Sequence, residues 1–268
     1  MINIISDPGS VTFLIGGLGA GKTELALNLA LLNARRNGPG KSHLLDLDIV
    51  NPFFRVRKVK SELEKAGVIL VAPDPRISAG DLPALPIGVW GALDDKRATI
   101  VCDVGGGELG LKPLARLKEN IDRRNPSVLF VMNPYRPGFL SSKQMHDSFR
   151  IMVELSALKV THIVANPHLV NETTPEVFRR GLVKIKNFAT EIGLPILFGM
   201  AAVGLWETLQ ETSPPGSDTG NYSSEQSVNL VEAFTEIDGI QVISFRRFWE
   251  KPWKIGLEEE GMICPSGL

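Results

Sequence analysis

Cysteine is scarce in this chain: two residues, Cys102 and Cys264, among 268. They stand far apart and in no metal-type spacing, which argues against a disulfide framework or zinc site and suits a reducing compartment. Aromatic residues are few, at 7%. Neither sign of charge dominates, since 29 Lys and Arg against 30 Asp and Glu leave a formal net charge of −1. A chain without a global basic field has no general attraction for nucleic acid or anionic membrane, although a local patch stays open. Long apolar runs are missing too, and none approaches the roughly 18 uncharged residues of a membrane span. The N-terminal stretch lacks the basic start and long apolar run of a secretion signal, because Asp7, Pro8 and Gly9 interrupt it. A cytoplasmic location is expected.

What is present is an ordinary globular composition, 43% hydrophobic and 22% charged. Short apolar runs fall at Val11–Ile15, His43–Leu47, Val68–Val71, Thr99–Asp103, Val128–Met132, His162–Ala165 and Ile196–Phe198. Helical patterns lie between them, at Lys22–Asn37, Phe54–Ala66, Pro83–Leu93, Leu111–Arg123, Ser142–Leu158 and Pro175–Ile192. This alternation predicts an α/β fold, doubly wound, with a mostly parallel sheet and helices on both faces. Ser213–Ser227 is rich in Ser, Pro, Gly, Asn and Asp and reads as a flexible loop, 213–227. Beyond it, Val228–Phe248 predicts a short helix and a strand around Ile240–Phe245, joining the same sheet. Residues 1–268 are read as one domain.

Gly16-Gly17-Leu18-Gly19-Ala20-Gly21-Lys22-Thr23 fits G-x-x-x-x-G-K-[ST] in full, with a strand leading in and a helix leading out. Glycines let the backbone fold into a nest whose N–H groups point at phosphate oxygens, and the helix adds its positive end. Lys22 would bring a point charge to the β- and γ-phosphates, and the Thr23 hydroxyl would ligate Mg2+. The sequence therefore predicts a P-loop that binds Mg-nucleotide.

Such a loop works with carboxylates at the ends of neighbouring strands. Asp103 ends the apolar run 98–103 and opens Asp103-Val104-Gly105-Gly106, a pattern that ligates Mg2+ and senses the γ-phosphate through the Gly106 N–H. Asp46 and Asp48 close the second run, two residues apart and so on one side of an extended strand. Three Asn-Pro pairs, 51–52, 133–134 and 166–167, follow expected strands on the rim where open parallel sheets bind ligands.

With these motifs the chain resembles the MinD/ParA/CobQ-type branch of P-loop NTPases, in the SIMIBI class, over residues 10–200 or so. The resemblance implies a catalytic Lys22, an Asp48 that helps activate the attacking water, and Asp46 and Asp103 supporting Mg2+. It also implies that Asn166 hydrogen-bonds the base. Many members carry a second lysine near the loop start. Here Gly17 stands there, so the trans-acting lysine is missing and a nucleotide-sandwiched dimer built on it is not implied. The guanine-reading N-K-x-D pattern is absent, since Pro134-Tyr135-Arg136 follows Asn133 and Pro167-His168-Leu169 follows Asn166. ATP is favoured over GTP.

Two further patches could be binding surfaces but read first as a solvated helix face and as an anchor that pins the chain end. Basic residues fill 55–60, and aromatic and basic residues alternate in Phe245–Lys254. Four histidines, His43, His146, His162 and His168, form no spaced ligand set and read as structural. The expected function is an Mg-dependent ATPase whose cycle acts on a protein partner or metallocentre. A synthetase resembling cobyrinic acid a,c-diamide synthase, acting on a small-molecule carboxylate, is one alternative. A GTPase of metallocentre assembly and a nucleotide-controlled module for membrane or DNA are others. A homodimer stays open, and the charge balance argues against nucleic acid or membrane as the main partner.

Overall fold

The computed structural model describes residues 6–48, 56–73, 85–211 and 234–248. Nine strands form one sheet: β1 (Val11–Ile15), β2 (Ser42–Leu47), β3 (Val68–Val71), β4 (Thr99–Val104), β5 (Ser127–Met132), β6 (His162–Ala165), β7 (Ile196–Ala202), β8 (Phe234–Ile237) and β9 (Ile240–Phe245). Their order is β3-β2-β4-β1-β5-β6-β7-β9-β8. Every pairing is parallel except β8 with β9. Helices α1 (Lys22–Asn37), α2 (Val56–Lys65), α3 (Val89–Asp94), α4 (Gly107–Leu111), α5 (Lys118–Arg124), α6 (Ser142–Ser156), α7 (Pro175–Glu191) and α8 (Val203–Glu211) cover it.

Side-chain alternation explains why both faces are covered. On β1, Val11, Phe13 and Ile15 join one apolar cluster, while Leu14 joins the other. On β5, Val128, Phe130 and Met132 face the first cluster, and Leu129 and Val131 the second. A period of two with both faces apolar is what a doubly covered parallel strand requires. Phe178, Leu182, Ile185 and Phe188 of α7 enter the first cluster; Leu25, Leu29 and Leu32 of α1 enter the second. The doubly wound expectation holds.

The differences from the sequence reading are local. The single helix expected over Leu111–Arg123 is instead a 3-10 turn at Lys112–Leu117 followed by α5, with Leu111 the last residue of the separate α4. Pro113 accounts for the tighter turn, because its ring and missing N–H do not suit a helix interior. The strand expected to end at Phe198 runs on to Ala202, and α8, which was not expected, follows it directly. The helix expected at Pro83–Leu93 is shorter, Val89–Asp94; residues 83–84 lie outside the described residues. Of the stretch where a short helix was expected ahead of the last strand, residues 228–233 lie outside the described residues, and Phe234–Ile237 is a strand. It forms a hairpin through Asp238-Gly239, both at positive φ, 53° and 76°. A two-residue Asp-Gly turn of this kind matches the twist of the strands it joins. The loop 213–227, Asn51-Pro52, Cys264 and the segment 249–254 lie outside the described residues. No helix among the described residues is long and apolar enough to cross a membrane.

Candidate functional site

β1 sits between β4 and β5. The chain leaves β1 toward β2 on one side and leaves β5 toward β6 on the other, so the carboxyl ends of β1 and β5 bracket a crevice. Residues 16–23 fill the mouth of it. Gly16 and Gly21 adopt φ of +143° and +100°. A Cβ on Gly16 would strike the Val131 carbonyl oxygen, and one on Gly21 the amide nitrogen of Asn166. Only glycine fits at either position. Gly21 caps α1 without a side-chain hydrogen bond, which leaves the first-turn N–H groups directed at the crevice. Lys22 is 6% exposed, and its Nζ donates to the carbonyls of Gly16 at 3.0 Å and Gly17 at 2.9 Å. Leu18 forms the exposed crown of the loop, and Gly19 and Ala20 lead back to the helix. Thr23 is half-buried in the first turn of α1.

The acidic residues converge from the other side. Parallel pairing of β2 with β4 sets Asp46 directly beside Asp103, both 4% exposed. The Asp48 N–H donates to Asp46 Oδ1 at 3.1 Å. The carboxylate of Asp48 lies over Gly105, where an added Cβ would come within 2.9 Å of its Oδ1. At Gly106 a Cβ would lie 2.9 Å from Leu18 Cα and 3.2 Å from Lys22 Nζ, so this turn rests on the phosphate loop. Asp48, Gly106 and Lys22 are thus brought to one place.

Burial pushes the Asp46 carboxyl up to about 8, and the neighbouring charge of Asp103 adds to the effect. The sign of the consequence is fixed. Asp46 ionises in the unfolded chain from its ordinary value of 3.8 but stays protonated in the fold until about 8, so stability drains away as pH rises between the two. Asp46→Asn removes that drain. In EDTA, thermal unfolding should place the variant's Tm, relative to wild type, at least about 3 °C further up at pH 8.5 than at pH 5. Parallel pH profiles would show instead that Asp46 is already ionised at neutral pH.

On the far side of the loop, Asn166 follows β6 and is 4% exposed. Its Nδ2 donates to the Ala20 carbonyl at 2.7 Å, while its Oδ1, also buried, finds no partner among the described residues. Asn133 after β5 braces the next loop by donating to the His168 carbonyl at 2.8 Å.

Every expected site residue therefore lies on one rim: Gly16 to Thr23, Asp46, Asp48, Asp103, Gly106 and Asn166. Two of the next three features were missed by sequence reasoning, and the third is of the anchoring kind favoured for the aromatic-basic segment. Arg136 donates from Nε to the Gly19 carbonyl at 3.1 Å. The Phe139 ring closes against Gly17, where the second lysine would otherwise stand. The end of β9 is strapped to α1 and α2: Arg246 pairs with Glu62, its backbone exchanges two hydrogen bonds with Asn28, and the Phe248 N–H donates to Glu24 at 2.9 Å. The aromatic-basic segment thus begins as an anchor. In the basic stretch 55–60, Val59 is buried and Lys60 pairs with Glu64 at 3.7 Å; the side chains of 55–58 lie outside the described residues. No group of three or more His, Cys, Asp or Glu that could hold an ion occurs among the described residues.

No family model and no curated protein matches the chain. Solved structures similar to it include the cell division protein FtsY from Thermotoga maritima, 21% identical, covering 75% of this chain and 64% of that one at a TM-score of 0.48. FlhF in complex with GTP and Mg2+ is 16% identical over 74% of this chain and 68% of its own, at a TM-score of 0.48. The signal recognition particle 54 kDa protein from Aeropyrum pernix, in complex with GDP, is 19% identical over 74% of this chain and 43% of its own, at 0.42. The chain spans 64% of FtsY and 43% of the 54 kDa protein. At these identities the likeness concerns fold alone, and the fold here rests on the strand order itself.

Proposed function

We propose that this chain is a Mg2+-dependent nucleoside triphosphatase that binds ATP at Gly16–Thr23 and acts through its nucleotide cycle on a protein partner or metallocentre. The observation that carries the proposal is the meeting of a glycine nest, a buried lysine and three carboxylates at one uncapped helix end. Membership of the MinD/ParA/CobQ branch, and with it the kind of partner, belongs to the same proposal and rests on the motifs.

In this reading the amides of residues 17–23 and the Lys22 ammonium hold the β- and γ-phosphates and offset charge as the terminal phosphoryl group departs. Lys22 would exchange its present bonds to Gly16 and Gly17 for phosphate oxygens. The donor set suits Mg2+: one hydroxyl, Thr23, and two carboxylates, Asp46 and Asp103, all hard oxygens. Mg2+ ordinarily takes one or two carboxylates, substrate phosphates and waters, and needs no dedicated protein cage. When bound it would neutralise developing charge on the phosphate oxygens, and its arrival would favour the ionised form of Asp46. Asp48 would orient the attacking water. Gly106, resting on Leu18, would donate its N–H to the γ-phosphate and shift when that group leaves.

The base assignment rests on Asn166. A buried Oδ1 without a partner costs free energy unless a donor meets it, and the 6-amino group of adenine is such a donor. Guanine presents an acceptor, O6, at that position. The similar folds named above include complexes with GTP and GDP, so the test must separate the bases. Calorimetric titration with Mg2+ should give micromolar binding of ATPγS and at least about tenfold weaker binding of GTPγS, the worth of one mismatched hydrogen bond. Tighter GTPγS would overturn the adenine assignment, and no binding of either would overturn the function.

A further inference from the structure

We infer that Arg136 is the platform on which the nucleobase lies, so that this chain reads the base and the triphosphate with separate groups. The inference rests on the nucleotide reading above and deepens it.

In a phosphate nest the N–H groups converge on the anion, which turns the carbonyls outward. Two consecutive outward carbonyls carry side chains from different loops: Gly19 receives Arg136 Nε at 3.1 Å, and Ala20 receives Asn166 Nδ2 at 2.7 Å. Arg136 and Asn166 therefore reach adjacent carbonyls of the loop from its outer side. The phosphates already have a cation inside the loop, Lys22. A cation outside it, on the carbonyl side, is available to the part of a nucleotide that extends past the α-phosphate.

The loop that carries Arg136 is also held in place. Its turn is closed by Arg136 N–H to Asn133 O at 3.3 Å and Phe139 N–H to Arg136 O at 3.0 Å. The neighbouring Tyr135 hydroxyl donates to Val177 O at 2.5 Å, which pins the loop to α7. No carboxylate pairs with Arg136 among the described residues, so its plane is not committed to an ion pair. Across the rim stands His168, whose Nδ1 accepts the Val170 N–H at 3.1 Å. Burial, with the nearby charges of Arg247 and Arg136, drives its pKa down to about 4, so its ring is neutral at physiological pH.

A planar cation, a neutral ring and one buried acceptor are a poor setting for another phosphate and a good one for a flat, electron-rich heterocycle bearing an amino group. Guanidinium stacks on such faces, whereas a lysine ammonium offers no plane. Adenine fits all three.

The test is titration of wild type, Arg136→Ala and Arg136→Lys with Mg·ATPγS and with magnesium tripolyphosphate, which carries the phosphates and no base. Arg136→Ala should weaken ATPγS about tenfold and change tripolyphosphate less than about twofold. Arg136→Lys should restore little of the loss, because charge without a plane does not stack. Equal losses for both ligands would make Arg136 a phosphate cation and overturn the inference. So would unchanged ATPγS binding in Arg136→Ala, or a wild type that binds ATPγS no tighter than tripolyphosphate. A wild type that binds neither ligand would overturn the nucleotide reading itself, and this inference with it.

Discussion

Lys22→Ala should weaken binding of Mg·ATPγS at least about thirtyfold while leaving Tm within about 3 °C of wild type. The binding loss follows from charge. An ammonium bonded to phosphate oxygens in a water-poor loop contributes more than a neutral hydrogen bond, and truncating one partner of such a pair costs about 2–5 kcal/mol. Each 1.4 kcal/mol or so is tenfold in affinity. The small change in stability follows from opposing effects on the free protein. Nζ satisfies the carbonyls of Gly16 and Gly17, which the variant gives up. Keeping a lysine 6% exposed also carries a desolvation cost, which the variant is spared. Calorimetry and thermal unfolding on the same samples separate the two effects. A variant that binds ATPγS normally would remove Lys22 from the site. A variant that has lost its cooperative transition would mean that the lysine holds the loop together.

The sheet was legible because its strands are buried on both faces and appear as short, nearly continuous apolar runs. The phosphate loop was legible because it is contiguous, and each of its residue types has a chemical reason. Asp46, Asp103 and Asn166 could be placed at strand ends, but not against one another. That Asp46 touches Asp103 depends on β2 lying next to β4, a pairing that no local pattern encodes. Arg136 is farther from legibility still. It meets Gly19 across 117 positions, and in the sequence it is one arginine in a turn. The Asp238-Gly239 hairpin had a local signal that went unused. α8 had a weaker one: among its described side chains only Trp206 and Leu209 are buried, and no turn residue separates it from β7. The strap from Arg246 to Phe248 shows how composition alone leaves a role open. Cations and aromatics there can suit a surface for anions as well as the anchor that was favoured, and Arg246 is paired with Glu62 and also lies over the Phe248 ring, 4.8 Å from its centre.

Asp48→Ala should lower the turnover of ATP about a hundredfold or more and leave ATPγS affinity within about threefold. The two effects part company because the carboxylate of Asp48 is assigned to the attacking water and not to the phosphates or Mg2+. The Asp48 N–H is what bonds Asp46, and alanine keeps that bond. The carboxylate itself lies over Gly105, one residue from the Gly106 turn that rests on the phosphate loop. From there it can hold a water facing the terminal phosphate, and a positioned acid or base is worth about a hundred- to ten-thousandfold in rate. An effect on kcat with binding preserved marks an interaction made in the transition state alone. If affinity falls as far as turnover does, Asp48 is instead part of the Mg2+ shell, and Asp46 and Asp103 do not suffice. If turnover is unchanged, the water is held by another group, and the short path from Asp48 through Gly105 to Gly106 would serve only to couple β2 to the phosphate loop.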